Sequence, residues 1–390
     1  VAPRPLWSIG FRPLFALGTL GAVAMIWTWV LVWSGRLAAP GSFPLLSWHA
    51  HEMVYGFAAA IVVGFLATAS ANWSGLPPLS GARLKLLCLL WVAGRIAMAI
   101  PGAPALVVAV VDLAFLPAAA FFLRPYFRGS KGNSRYLFPA LLALWTAGSA
   151  AMHLGASGVF PGLERTGAFW GVHQLIIMIA VIAGRVLPFF SSRAVPGYVR
   201  PSTERLDAAT PISTLLFAVA AAALGPEHLV PSVLAGVAAV FHLWRWGKWL
   251  DRGVWRVPIL WILFVGYAWI PVGLLLLAVS PWVAAANLAG THALTAGAIG
   301  TMIVAMVSRV SLGHTGRPIF ANAPVLVAYA LILIGSTIRV VGPFVASLTS
   351  VVPYGVVVTT SGTLWGAGFA VLALSLARLW WSPRADARAT

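Results

Sequence analysis

The sequence predicts an all-α, polytopic membrane protein, and three observations carry that prediction. Of 390 residues, 61% are hydrophobic and only 8% are charged, with a mean hydropathy of +0.93. A soluble chain carries about 25% charged residues, so a domain this poor in charge could not cover its own surface with water-compatible groups. That excludes soluble enzymes, disordered chains and disulfide-stapled secreted scaffolds. Second, the apolar residues lie in long unbroken runs, without the ten-residue alternation of an outer-membrane barrel. A helix needs about 20 such residues to cross a bilayer, and Pro, Gly and charged breakers divide the chain into twelve runs. Third, the basic residues sort to alternate connections.

The first run, Leu14–Ser34, follows Arg4 and Arg12 as a signal peptide would. At about 20 residues it exceeds the roughly 7–15 of a signal's apolar core, and it reads as a span. Trp48–Ala69 opens on WHAHEMVY, and Leu84–Ile100 follows. Ala103–Leu123 carries Asp112, Leu137–Gly155 ends beside His153, and Ala168–Phe190 holds His173 near its start. The second half gives Ala209–Leu224, Leu229–Trp244 with His242, Pro258–Val279, Trp282–Val307 with His292, Ala323–Val341 and Ser350–Leu376. No loop is long enough to fold alone, so residues 1–390 read as a single transmembrane bundle.

Alternate connections hold 21 of the 25 basic residues, from Arg4 and Arg12 to Arg378, Arg384 and Arg388. The other side has only Arg36, Arg95, Arg165 and Arg339. By the positive-inside rule, twelve spans with both termini cytoplasmic follow. The net charge of +17 is then loop charge that sets topology and meets the headgroups of the lipid bilayer, not a nucleic-acid footprint. The lone cysteine, Cys88, excludes internal disulfides, covalent haem attachment and cysteine-rich metal clusters.

Ionisable residues in hydrocarbon are expensive and mark function by default. On this topology His49, His51, His153, His173 and His292, from four helices, converge toward the outer half of the bundle. His242 and His314 lie toward the cytoplasm, and His228 falls in an outer loop. His49 and His51 are two residues apart, about 200° around a helix, so they face opposite ways and do not share one ion. Glu52 lies three residues from His49 and Tyr55 four from His51, giving each imidazole a polar neighbour on its own face. Imidazole is a common ligand of haem iron and of copper, which makes these five histidines candidate metal ligands. The plain alternatives are an interfacial Trp/His belt for His49 and His51, and satisfied core hydrogen bonding for the others. Ala293, Gly297, Ala298 and Gly300 would admit either a flat macrocycle or a neighbouring helix. Asp112 either pairs with Arg95 or Arg339 or carries protons. Arg185, Arg309 and Arg317 either orient their helices or line a pocket for propionates or another anion. A segment from His51 and one from His292 share Gly at the fifth position, a similarity too short to argue a duplication.

The segments Trp48–Gly75, Ala183–Phe190, Pro258–Gly273 and Thr291–Arg317 resemble the NnrS family nearly end to end. The resemblance implies a twelve-span bacterial inner-membrane protein containing haem and copper and linked to the nitric oxide response and denitrification. It also implies roles for His49, His51, Glu52, His242, His292, Arg309 and His314. At Phe264 many relatives have histidine, so copper binding here either is absent or uses His173.

The expectation is therefore a haem b protein, with or without copper, that binds nitric oxide and reduces it to nitrous oxide, with Glu52 and Tyr55 as catalytic proton donors and Asp112 as a further candidate. Electrons would come from quinol or a membrane donor, because no haem c or copper domain is present. Two other readings stand beside it: a non-catalytic nitric oxide protector or sensor, and a proton-coupled secondary transporter. The paired interrupted helices of a transporter are not evident in the sequence.

Overall fold

The computed structural model describes residues 4–41, 43–349 and 352–386. Ser350, the expected start of the last span, and Arg388 lie outside them. Among the described residues the regular structure is helical, in twelve long stretches: α1 Phe11–Trp33, α2 Leu45–Ser74, α3 Gly81–Ala99, α4 Ala105–Gly129, α5 Ser134–Ala156, α6 Leu163–Ala194, α7 Glu204–Leu224, α8 Leu229–Trp249, α9 Pro258–Val279, α10 Ala284–His314, α11 Ala323–Leu348 and α12 Tyr354–Trp381. Eleven of these are long and apolar enough to cross a membrane. The twelfth is α3, a helix of 19 residues that carries Arg83, Lys85 and Arg95. Large apolar side chains such as Leu106, Phe121 and Leu374 are exposed, which suits a helix facing lipid tails rather than water.

Three helices depart from regularity, each for a local reason. Helix α4 breaks at Ala114, between Ala105–Leu113 and Phe115–Gly129. Pro117 has no N–H to give the Leu113 carbonyl, so the helical ladder is interrupted there, and Asp112 sits in the turn just before the break. Helices α2 and α10 each contain a seven-residue π-helical stretch, Glu52–Ala58 and Ala293–Ile299. Each begins at the residue after a histidine, His51 or His292, with glycine at the fifth position after it (Gly56 and Gly297). Neighbouring helices supply donors to carbonyls within both stretches. Trp91 Nε1 donates to the Gly56 carbonyl at 2.9 Å. The Ala296 carbonyl accepts from Ser336 Oγ at 2.8 Å and Trp365 Nε1 at 3.2 Å. Such π segments concentrate at functional sites.

The chain forms two compact units. Residues up to Gly171, with Arg309–Ile319 and those from Leu372 onward, make the first; Val172–Ser308 and Phe320–Val371 make the second. In the first, α1 lies against α2 through small residues. A Cβ on Gly18 would stand 2.6 Å from Ile61 Cδ1, and one on Gly64 would stand 2.9 Å from Leu14 Cβ. Helix α3 packs on the first piece of α4, whose second piece packs on α5 and α2. In the second unit α8 contacts both α7 and α9, and α10 packs on α9 and α11. Without a hydrophobic drive between helices in lipid, close approach of small residues is what holds such neighbours.

Candidate functional site

The first unit gathers five ionisable side chains from four helices. His51 and Glu52 come from the start of the π stretch of α2, Arg95 from α3, Asp112 from the turn before the break in α4, and His153 from α5. His51 is fully buried, and Glu52, Asp112 and His153 are 3%, 6% and 6% exposed. Arg95 donates to both acids, through Nη1 to Glu52 Oε1 and through Nη2 to Asp112 Oδ1. The second oxygen of Asp112 lies 2.8 Å from His153 Nε2 and 3.1 Å from His51 Nε2. His51 Nδ1 is 3.3 Å from Glu52 Oε1, and its Nε2 is also 3.2 Å from Ser149 Oγ. Rings close the surroundings of His51: Phe43, Tyr55 and His153 lie with centroids 5.5, 5.4 and 5.2 Å away.

Arg95 offers one positive charge to the two acids Glu52 and Asp112, and the balance rests on the imidazoles: with His51 neutral a buried negative charge remains, and a proton on His51 or a bound cation would cancel it. A buried charge must be paired or coordinate a metal. One ligand atom each from His51, Asp112 and His153 lies within 4.8 Å of the others. Two imidazole nitrogens and a carboxylate oxygen suit a borderline first-row ion such as copper or zinc. A single ion therefore fits the donor set, whereas the aromatic rings packed about His51 do not suit a macrocycle.

The remaining expected site residues have separate surroundings. His49 stacks on Trp29, with centroids 4.2 Å apart, facing away from His51 as two-residue spacing requires. Tyr55 donates its hydroxyl to the Gly167 carbonyl at 2.7 Å. A Cβ on Gly171 would stand 2.5 Å from that oxygen and 2.7 Å from Cζ, so the phenol is clamped. His314 lies tilted against Phe11, with centroids 5.7 Å apart, and Arg309 is 7% exposed. Arg317 Nη1 reaches the Thr315 carbonyl at 3.4 Å.

In the second unit His173 meets Phe217 edge-on at 4.9 Å, and Arg185 is exposed. Phe264 is fully buried, its carbonyl accepting from Trp246 Nε1 at 2.9 Å. His292 Nδ1 donates to the Leu288 carbonyl at 2.9 Å. A carbonyl can only accept, so a neutral ring then carries its lone pair on Nε2. Of the small residues after it, two serve neighbouring side chains: a Cβ on Gly297 would stand 2.7 Å from Trp269 Cδ2, and one on Gly300 2.8 Å from Trp365 Nε1.

His242 belongs to a second buried constellation, which the sequence did not reveal. Its Nδ1 is 2.8 Å from Tyr267 Oη and its Nε2 3.0 Å from Thr214 Oγ1. Arg245 lies below Tyr267, with Nη1 3.5 Å from Oη, Nη2 donating to the Ala180 carbonyl at 2.7 Å and Nε 2.8 Å from Asp207 Oδ1. Both ring nitrogens of His242 are thereby engaged in hydrogen bonds. The signal for this group was the His242-x-x-Arg245 spacing, which places both on one helix face; the partner Tyr267 gave no sign among the apolar residues of α9.

Of the two partners expected for Asp112, Arg95 is the one it meets. The unforeseen feature is that Arg95 also binds Glu52, which joins the two halves of the cluster.

Apolar helices of spanning length and a buried His/Asp/His donor set define a helical membrane protein equipped to hold a metal ion. The chain belongs to the NnrS protein family, whose model matches residues 5–384, nearly its whole length. That membership fits a membrane protein of the nitric oxide response. No curated protein matches the chain in sequence.

Proposed function

We propose that this chain is a metal-dependent nitric oxide protein of the bacterial inner membrane, with twelve spans and both termini cytoplasmic. The observation that carries the reading is the buried His51–Asp112–His153 donor set, in a chain of this family. On this reading His51, Asp112 and His153 would hold copper, and His292, oriented by its bond to the Leu288 carbonyl, would hold haem b. When bound, these metals supply one-electron chemistry and a position for nitric oxide. The chain's own residues do the rest. Arg95 fixes both carboxylates, Glu52 orients the His51 ring through Nδ1 and leaves Nε2 toward Asp112 and His153, and Phe43 and Tyr55 pack against the ring. Quinol or another membrane donor supplies electrons if nitric oxide is reduced to nitrous oxide.

A second reading, binding without turnover, draws on a specific observation. Glu52 and Asp112 are both committed to Arg95, and Tyr55 to a backbone carbonyl, which disfavours their serving as mobile proton donors. Metal analysis and a visible spectrum of the purified protein test the common core. Copper is expected to be lost in His51→Ala and His153→Ala, and Soret absorption in His292→Ala. Full copper content in both of the first two variants would rule out the donor set. Gas analysis after adding reductant and nitric oxide then separates the readings, because nitrous oxide forms only with turnover.

A further inference from the structure

At one end of the first unit three helix ends meet: the start of α1 and the last turns of α10 and α12. Arg12, on α1, is fully buried. Its Nη1 donates to the carbonyls of Leu379, Trp380 and Ser382 at 3.3, 3.1 and 2.5 Å, at the end of α12. Arg384 Nη1 donates to the His314 carbonyl, at the end of α10, at 3.0 Å. These bonds satisfy carbonyls that a helix C-terminus leaves open, where the macrodipole favours cations. They account for only part of the group. Arg12 Nε and Nη2 are buried without a hydrogen-bond partner, and Arg317 and Arg384 lie within electrostatic reach of the same guanidinium. The acid at this place is Asp386, gripped by Arg384 at 2.9 and 2.7 Å. Among the described residues three guanidinium groups thus gather near one carboxylate, and two buried donors have no hydrogen-bond partner.

We propose that this cluster is a binding site for a phosphate-type oxyanion, with Arg12 Nε and Nη2 as its floor and Arg317 and Arg384 as its rim. Guanidinium forks match phosphate oxygens in pairs, and a buried charge without a partner demands one. The ends of membrane-length helices lie at headgroup depth, where an anionic lipid presents its phosphate. Free phosphate offers the same chemistry. Asp386 is an internal competitor that holds Arg384 until the anion arrives. The site is independent of any metal the chain binds.

The test titrates the detergent-purified full chain with dioleoylphosphatidylglycerol, dioleoylphosphatidylcholine and inorganic phosphate, reading bound mass by native mass spectrometry and stability by thermal unfolding. The phosphatidylglycerol is expected to bind at least about tenfold more tightly than the phosphatidylcholine. Asp386→Asn should tighten that binding, since it removes the competitor, and Arg384→Gln should weaken it about tenfold. Arg12→Gln should abolish it; if that variant does not fold, the opposed shifts of the other two carry the test. Stabilisation by inorganic phosphate alone, with the same response to the variants, supports the site and makes free phosphate its source. Equal binding of the two lipids with no effect of phosphate, or binding unchanged in both Arg384→Gln and Asp386→Asn, overturns the proposal.

Discussion

Arg95 and Arg245 are both arginines set inside apolar helices, and their surroundings differ in one decisive respect. Arg95 meets two carboxylates, Glu52 and Asp112, whose side chains are only 4% and 3% exposed. Arg245 meets one, Asp207, whose side chain is 36% exposed, and otherwise bonds to a phenol and a backbone carbonyl. The first cluster places two buried acids beside one guanidinium, so a proton on His51 or a bound cation must complete the balance. The second is a hydrogen-bonded chain with a solvated carboxylate at one end. Two buried acids within reach of two imidazoles therefore distinguish the group proposed to hold a metal, and the presence of an arginine and a histidine does not.

The largest test of that contrast removes Arg95. In Arg95→Leu two buried carboxylates lose their partner, and breaking a buried ion pair in this way costs about 3–5 kcal/mol. Unfolding of the detergent-solubilised protein is expected to show that loss, with part of it recovered when Asp112→Asn is added. Arg245→Leu is expected to cost less, about 1–3 kcal/mol, because Asp207 can be hydrated and what is lost is mainly hydrogen bonding. Equal costs at the two positions would break the comparison.

These energetics also explain what could and could not be read from the sequence. Helical class and the approximate bounds of the long stretches were legible because lipid demands long apolar runs, and charge and proline interrupt them. Helix α3 falls outside the eleven of spanning composition because the same Arg95 that pairs with Glu52 and Asp112, with Arg83 and Lys85, raises its charge. Asp112 was legible as a buried acid in need of a cation, and Arg95 was among its expected partners. Glu52 was not legible as a partner of Arg95, because a separation of 43 positions carries no local periodicity that records the contact. The π stretches were hidden for a similar reason. One extra residue per turn leaves an apolar composition unchanged, so the shared glycine after His51 and His292 was visible but its backbone meaning was not.

A test of intermediate size addresses the clamp on Tyr55. Gly171→Ala places a methyl group against Oη and Cζ, and overpacking of this kind costs about 1–3 kcal/mol. The variant is expected to displace the Tyr55 ring and, through it, His51, so that copper affinity falls along with stability. Tyr55→Phe keeps the ring and should retain copper. Loss of copper in both variants would assign the hydroxyl, not the ring, to the donor set.

The smallest effect is expected in the second cluster, and it sharpens the contrast most directly. Tyr267→Phe removes the hydroxyl 2.8 Å from His242 Nδ1 while Thr214 still holds Nε2. The ring loses one of two hydrogen bonds and no charge is left uncompensated, so the cost is about 1 kcal/mol. Removing the corresponding support in the first cluster, by Asp112→Asn, should act differently: removal of a buried carboxylate charge offsets the lost ion pair, so stability should change little, but metal content should fall. Stability and metal content are thus expected to part company in the first cluster. In the second, only stability should respond. A Tyr267→Phe protein that loses metal would place His242 among the ligands and give the second constellation the role argued here for the first.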